Sequence, residues 1–208
     1  VVKMYKVDIE EGSLEWHRGR WGNVTGTSLK SALGSPAVQK TIMYDLIAQR
    51  MTEPQIGDTT SAAMTHGIEM EPVAMKSVIA ETGIEFINTG LLLSEDMPHF
   101  SISPDGICEE NGVVVGGLEI KCPNSKKHIE YLIKGEIPKE YYHQVIAPFV
   151  MSDGVRFWYF ASFDDRNYER PLFLMKVERS ELNELPSMRS ELKAFLSHVN
   201  DEHMKLTF

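Results

Sequence analysis

The sequence lacks the features of a cysteine-stabilised or zinc-binding protein. It has two cysteines, Cys108 and Cys122, and no Cys-x-x-Cys pair. A disulfide framework needs more cysteines than this, and a zinc knuckle needs them in close pairs. Lone cysteines suit a reducing compartment, where they pack as small hydrophobic residues. We therefore expect both to contribute only to packing.

Long apolar runs and an excess of positive charge are also missing. No stretch approaches 18 uncharged apolar residues, and no basic-then-apolar signal peptide opens the sequence, so no membrane segment is predicted. We expect a cytoplasmic location, in the host cell if a phage or prophage encodes the protein. The net charge of −9 argues against a generic nucleic-acid coat. It is compatible with an enzyme acting on DNA, which needs positive charge only along one channel.

The pattern of helices and strands predicts one domain over residues 1–208. Ser35 and Pro36 begin a helix over 35–51, and a second helix over 61–82 ends at Gly83. Three strand-like segments follow within 85–123. The remaining elements are helices over 125–135 and 138–154, strands over 155–163 and 171–179, and a helix over 180–203. This order predicts an α/β fold with one mixed central sheet flanked by helices on both faces.

Three charged residues stand in segments that are otherwise typical of buried strands. Asp105 ends the second of them, and Glu119 and Lys121 lie in the third, "GVVVGGLEIKCP". Residues i and i+2 of a strand share a face, so Glu119 and Lys121 project together. Asn111-Gly112 predicts a hairpin that returns the chain beside itself. We therefore expect Asp105 to meet Glu119 across the strand pair.

Two carboxylates held this close favour a bound cation, which relieves their mutual repulsion. Oxygen ligands without paired Cys or His suit Mg²⁺ or Mn²⁺ better than zinc. The main-chain carbonyl of Ile120 is a natural further ligand, because it lies between the two side chains. The ion would activate a water that attacks a phosphate, and Lys121 would orient that water or stabilise the phosphorane. We therefore predict phosphodiester hydrolysis.

A structural interpretation of the same residues is available. Pro104-Asp105-Gly106 is ordinary turn chemistry, and Glu119 with Lys121 can form a surface cross-strand pair. Each feature alone carries little information. Their combination, at this spacing and inside apolar strands, favours the catalytic interpretation.

Four stretches resemble the lambda exonuclease family, also called YqaJ-type viral recombinases, within the PD-(D/E)xK nuclease superfamily. "SPDG" and "GLEIKCP" carry the superfamily signature. "WHRGRWGNVTGTS" (16–28), "HGIEMEPVA" (66–74) and "YYHQVIAPFVMSD" (141–153) are similar to three further family motifs and stand in the family's order. The sequence departs from the family at Thr27, where Ser is common, and at Pro148, where many relatives continue a regular helix.

The resemblance implies a role for each matching residue. Asp105 and Glu119 would be metal ligands with the Ile120 carbonyl, and Lys121 the catalytic lysine. Glu71 would be the helix-borne acid for a second metal or its water. The remaining assignments are Gln144, which would position Lys121 or the scissile region, and Arg20 with Thr27, which would hold the 5′-terminal phosphate.

Two further residues are candidates for DNA contact. Trp21 follows Arg20 and is the better-placed aromatic residue to wedge against a DNA end. Lys30 is a candidate for a phosphate contact, although a solvated lysine explains it equally well. The turn Thr25–Ser28 independently favours a phosphate site, because its free N–H groups open a helix, although plain N-capping by Thr25 or Thr27 is the commoner use.

The sequence thus predicts a Mg²⁺-dependent exonuclease, with Mn²⁺ as an alternative ion and two ions in the site. The resemblance implies 5′→3′ digestion of linear double-stranded DNA to leave 3′ overhangs for recombination. It also implies a ring-shaped homotrimer and a single-strand annealing protein as partner. Two alternatives remain open: a site-specific endonuclease of the same superfamily, and a non-cleaving DNA-end binding or assembly protein on a nuclease fold.

Overall fold

A computed structural model describes residues 3–54 and 61–207 of the chain. The strands are β1 (Met4–Val7), β2 (Leu91–Ser94), β3 (Ser101–Ile102), β4 (Gly106–Glu110), β5 (Val113–Lys121), β6 (Phe157–Phe163) and β7 (Leu172–Glu178). The α-helices are α1 (Leu14–Arg20), α2 (Leu29–Ala32), α3 (Pro36–Arg50), α4 (Ala62–Thr82), α5 (Ser125–Lys134), α6 (Tyr142–Met151) and α7 (Leu185–Thr207). No helix in these two ranges has both the length and the apolar character needed to span a membrane.

The α/β class and the mixed sheet flanked by helices are confirmed. The larger sheet has the order β4-β5-β6-β7, in which β5 and β6 are parallel and the other neighbours antiparallel. Side chains of β5 and β6 alternate between two apolar clusters. One cluster packs against α4, and the other packs against α5 and α6 on the opposite face.

The prediction of one sheet is wrong, because the second predicted strand is broken. Ser101 and Ile102 pair with β2 in a separate three-stranded sheet, β1-β2-β3, whereas Gly106 begins the pairing of β4 with β5. Pro104 lies in the gap and has no N–H to donate to a ladder. The break places Asp105 between the two sheets, immediately before the hairpin.

The predicted hairpin is present and has the backbone that Asn-Gly favours. Asn111 and Gly112 connect β4 to β5 with φ values of +52° and +77°. Both residues are therefore in the left-handed region, as a type I′ turn requires. The pairing fixes the register at the far end of the hairpin, where Gly106 is opposite Leu118. Asp105 and Glu119 follow as the next opposed positions.

The long helix before the hairpin is continuous. Pro72 lies inside α4 without ending it, and Gly83 caps its C-terminus in the left-handed conformation, with φ of +68°. Ser35 and Pro36 begin α3 as predicted. Two short elements were not predicted, namely the four-residue β1 and the seven-residue α1, which ends at Arg20.

A close contact between β5 and β6 shapes the floor of the site. A Cβ atom on Gly117 would lie 2.2 Å from the ring of Trp158, which is fully buried. Only glycine lets the indole lie across β5 at this point. Gly117 and Glu119 point to the same face of the strand, and Trp158 and Glu119 line the same cavity.

Candidate active site

The hairpin brings Asp105 to the strand that carries Glu119 and Lys121, as predicted. The Asp105 Oδ2 atom accepts a hydrogen bond from the backbone N–H of Ile120, with 2.5 Å between the heavy atoms. Ile120 is buried against α4, which holds this stretch of β5 in register. Asp105 is therefore fixed beside the backbone between Glu119 and Lys121.

Glu119 and Lys121 project from β5 on the face that packs against α6. The Lys121 Nζ atom donates to Glu119 Oε1 at 2.5 Å and lies 5.3 Å from the centroid of the Tyr141 ring. Only 7% of Glu119 is exposed. A carboxylate this buried requires a charge partner, and the lysine ammonium provides it.

The acidic groups of the site perturb one another. Burial raises the pKa of Asp105 well above its usual range, and the nearby Glu119 and Glu71 carboxylates raise it further. Burial also raises the pKa of Glu71 to about 7, with added repulsion from Glu11 and Glu119. Burial alone would lower the pKa of Lys121, but Glu119 and Asp105 outweigh it and raise that pKa above its ordinary value. Excess negative charge is thus concentrated around one lysine.

The donor set fits a hard divalent cation. Within residues 3–54 and 61–207, no three His, Cys, Asp or Glu side chains converge at metal-ligand spacing. The carboxylates of Asp105 and Glu119 instead contact the Ile120 N–H and the Lys121 ammonium. Nevertheless, Asp105, Glu119 and Glu71 supply only oxygen donors. The pKa values of Asp105 and Glu71 are raised by burial and by neighbouring carboxylates, and a cation would remove the repulsion between these groups. A ligand role for the Ile120 carbonyl stays a prediction.

Arg20 lies in the last turn of α1 and faces the same centre. It lines a narrow cavity together with Thr27, Gln144, Pro104 and Glu119. Burial lowers the pKa of Arg20, while Glu11 and Glu119 are near enough to raise it. The Arg20 guanidinium carbon lies 4.1 Å from the centroid of the Trp16 ring. A cation is therefore held over an aromatic face in the cavity that Glu119 also lines.

Gln144 and Thr27 meet in this cavity, although 117 positions separate them. The Gln144 Nε2 atom donates to Thr27 Oγ1 at 3.0 Å. The resemblance implies that Gln144 positions Lys121 or the scissile region and that Thr27 holds a phosphate. The structure places Gln144 on the same cavity as Glu119, but its hydrogen bond is to Thr27. The amide thus belongs to the Arg20 and Thr27 group.

Trp21 and Lys30 lie outside this group. The Trp21 indole N–H donates to the Thr52 carbonyl at 2.9 Å, and its side chain lines a separate cavity of about 360 Å³ with Arg18, Arg50 and two histidines. Lys30 is exposed on α2. Burial lowers the pKa of His143, and the nearby Lys30 ammonium lowers it further. Neither residue is among those lining the cavity of Arg20.

Sequence reasoning missed two groups of residues at the site. Trp16 and Ser103 connect Arg20 to the segment of Asp105. The i, i+4 spacing of Trp16 and Arg20 explains the first contact once α1 is known to be a helix. On the other side of Asp105, a cavity of about 510 Å³ is lined by acidic residues, including Asp8, Glu10 and Glu11. These residues precede α1, and no motif marks them.

Comparison with known proteins gives a family model and similar structures. Residues 15–153 match the model of the YqaJ-like viral recombinase domain. The crystal structure of an alkaline exonuclease from Laribacter hongkongensis is 31% identical and has a TM-score of 0.81, covering 94% of this chain and 96% of that one. A complex of the same exonuclease with dAMP gives 32% identity, a TM-score of 0.80 and coverages of 93% and 96%.

A phage-related exonuclease from Haemophilus somnus 129PT shares the fold. It is 13% identical, with a TM-score of 0.60, and the match covers 89% of this chain and 96% of that one. No curated protein matches the sequence.

Proposed function

Since the chain belongs to the family of YqaJ-like viral recombinase domains, we propose that it is a Mg²⁺-dependent 5′→3′ exonuclease of linear double-stranded DNA. In this proposal residues 1–208 act as one nuclease domain and leave 3′ single-stranded overhangs for recombination. The similar alkaline exonuclease from Laribacter hongkongensis supports the reaction class.

One observation carries the proposal. Asp105, Glu119 and Lys121 meet at the end of the β4–β5 hairpin, and Glu119 also lines the cavity of Arg20, Thr27 and Gln144. A group suited to hydrolysis therefore adjoins a group suited to a terminal phosphate. This pairing is what an enzyme needs if it is to cut next to a DNA end.

The carboxylates of Asp105, Glu119 and Glu71, with the Ile120 carbonyl, would hold the metal, and the family resemblance implies two ions. When bound, Mg²⁺ acidifies water and offsets charge on the phosphate; Mn²⁺ would supply the same chemistry. Because its pKa is raised, Lys121 is a cation and acts as a hydrogen-bond donor. It would donate to the attacking water or to a phosphate oxygen as negative charge develops there.

Arg20, Thr27 and Gln144 would bind the 5′-terminal phosphate. A guanidinium donates two parallel hydrogen bonds to phosphate, and a hydroxyl and an amide add further donors. Gln144 donates to Thr27 in the free protein, which orients both side chains at the wall of the cavity. Holding the terminal phosphate here fixes which phosphodiester lies at the carboxylates, and hence the 5′→3′ polarity. Trp21 and Lys30 would make more distant contacts with the duplex.

The family resemblance extends the proposal to assembly. We expect a homotrimeric ring around DNA and a single-strand annealing protein as partner. A ring reconciles the net charge of −9 with DNA binding, because positive charge is needed only along the channel. Light scattering during gel filtration tests this, with an expected mass three times that of the 23.6 kDa chain.

The test of function is one set of digestions. Linear duplexes with 5′-phosphate or 5′-hydroxyl ends and a closed circular duplex are incubated with the protein, in Mg²⁺ or in EDTA. We expect the linear 5′-phosphorylated duplex to be shortened from its 5′ ends in Mg²⁺, with slower loss of the 5′-hydroxyl duplex and none of the circle. Cutting of the circle would indicate an endonuclease. End binding without cleavage would indicate an assembly protein.

A further inference from the structure

Trp16 supports Arg20 from within α1. The two side chains are one helical turn apart, and the guanidinium carbon is 4.1 Å from the centroid of the indole. Trp16 is 8% exposed, so the ring is anchored in the protein and only one face is offered to the cation. The position of Arg20 in the phosphate cavity therefore depends on the position of the Trp16 ring.

The indole of Trp16 is held by Ser103. Its Nε1–H donates to Ser103 Oγ at 2.9 Å, and the Ser103 hydroxyl donates to the Gly90 carbonyl at 2.8 Å. Indole nitrogen is only a donor, so the direction of both hydrogen bonds is fixed: Ser103 accepts from Trp16 and donates to Gly90. A displacement of the indole changes the first of these bonds and leaves the Ser103 hydroxyl without its donor.

Ser103 is joined to Asp105 by a stiff connection. The residue between them is Pro104, which is buried and whose ring fixes its backbone angle φ. Asp105 in turn accepts the Ile120 N–H from the strand of Glu119 and Lys121. A continuous series of contacts thus leads from Arg20, through Trp16 and Ser103, to Asp105.

We propose that Trp16 and Ser103 are positioning residues that couple occupation of the terminal-phosphate cavity to the placement of Asp105. This inference rests on the function proposed above and deepens it. A phosphate that binds Arg20 holds the guanidinium over Trp16, and the Trp16–Ser103 hydrogen bond transmits that position to Asp105. The 5′-phosphate therefore increases turnover as well as binding.

The test compares kcat and KM on linear duplexes with 5′-phosphate and 5′-hydroxyl ends. Trp16→Phe keeps a ring for Arg20 and removes the N–H donor, and Ser103→Ala removes the acceptor. We expect each change to lower kcat on the phosphorylated duplex about fivefold to tenfold, with KM within about twofold. The ratio of kcat values between phosphorylated and hydroxyl ends should fall by the same factor. Ser103→Thr, which retains the hydroxyl, should restore most of the ratio.

A double-mutant cycle separates coupling from general damage. Trp16→Phe with Ser103→Ala should match either single variant, because all three lack the same hydrogen bond. Ser94→Ala is the matched control: Ser94 also donates one hydrogen bond, to Asp96, and accepts one, from the Met97 N–H, but lies outside the series. It should leave the kcat ratio unchanged. Melting temperatures of all variants confirm folding.

Two results overturn the inference. The first is a loss of kcat in the double variant as large as the product of the two single losses. The second is an unchanged ratio of kcat between phosphorylated and hydroxyl ends in either single variant. If the wild-type protein prefers phosphorylated ends and the variants keep that preference, only the coupling fails. If the wild-type protein cleaves no linear duplex in Mg²⁺, the proposed function itself fails.

Discussion

The group of Asp105, Glu119 and Lys121 at the hairpin and the cavity of Arg20, Thr27 and Gln144 are built in different ways. Asp105 directly precedes one strand of the hairpin, and Glu119 and Lys121 lie in the other strand. The hydrogen bonds of this group span 15 and two positions. The cavity takes Arg20 from α1, Thr27 from the turn before α2 and Gln144 from α6, and its Gln144–Thr27 contact spans 117 positions. The first group concentrates negative charge, whereas the second presents hydrogen-bond donors. In the proposed function, the first group would carry the hydrolytic step and the second would bind the DNA end.

The largest expected effect is at the hairpin. Glu119→Gln and Lys121→Ala should each lower cleavage of 5′-phosphorylated linear duplex at least about 10³-fold, because each removes a charge on which the hydrolytic step depends. Binding of duplex, measured by fluorescence anisotropy in Ca²⁺, should change little, since Arg20, Thr27 and Gln144 remain.

Survival of cleavage in Lys121→Ala near the wild-type rate would show that the lysine has no catalytic role. A loss of binding equal to the loss of cleavage would contradict the separation of the two parts.

The second-largest effect on cleavage is expected at the cavity of Arg20, Thr27 and Gln144. Arg20→Ala should lower kcat/KM on 5′-phosphorylated duplex about 10- to 100-fold, as expected for loss of charge-assisted hydrogen bonds to phosphate. Cleavage of 5′-hydroxyl duplex should fall much less, so the preference for phosphate is measured directly as a ratio. An equal loss on both substrates would mean that Arg20 serves the hydrolytic step rather than end recognition.

A third prediction concerns the free energy of unfolding of the metal-free protein. The pKa of Glu71 is raised from 4.5 to about 7, so its protonated form is favoured in the folded state. This contribution to stability is present below about pH 4.5 and is lost as pH rises to about 7. Mg²⁺ prefers the ionised carboxylates, and should raise the melting temperature by about 2–4 °C more at pH 8 than at pH 5.5.

Glu71→Gln supplies the control for this titration. It should flatten the pH dependence of the metal-free melting temperature and reduce the Mg²⁺ effect, whereas neutralising the exposed Glu81 by Glu81→Gln should do neither. A melting temperature that responds to Mg²⁺ equally at both pH values would contradict the account of the acidic group.

The smallest effect is expected for Gln144. Gln144→Ala removes one neutral hydrogen bond to Thr27, and should lower kcat/KM on phosphorylated duplex about threefold to tenfold. If Gln144 acts with Thr27, Thr27→Ala combined with Gln144→Ala should lose less than the product of the two single effects. A loss confined to kcat and equal for both kinds of DNA end would place Gln144 with Lys121 instead, as the resemblance first suggested.

The different origins of the hairpin group and the cavity also explain which of their contacts the sequence alone predicts. The period of a strand puts Glu119 and Lys121 on one face, and the Asn111-Gly112 turn sets the register that brings Asp105 to them. Those contacts are local, so residue spacing predicts them. The cavity depends on how separate helices pack, which spacing does not encode. There the Thr25–Ser28 turn indicated a phosphate site, but only the family resemblance brought Arg20, Thr27 and Gln144 into the prediction together.

Misplaced and missed elements have physical causes of the same kind. The strand through Pro104 was predicted as continuous, because its apolar pattern gives no sign that its two halves pair with different strands. Trp21 follows Arg20 in the sequence, but consecutive residues at a helix end point about 100° apart, and the Trp21 indole reaches Thr52 rather than the cavity of Arg20. Its contact with DNA stays a prediction. β1 and α1 are too short for a periodic pattern to predict.

The central claim is that Asp105 and Glu119 clasp one divalent cation beside Lys121. Anomalous scattering from crystals grown with Mn²⁺ tests it most directly. The account predicts a peak about 2 Å from a carboxylate oxygen of Asp105 and from one of Glu119. A peak elsewhere, or carboxylate oxygens of these two residues more than roughly 8 Å apart in the metal-bound protein, would contradict it.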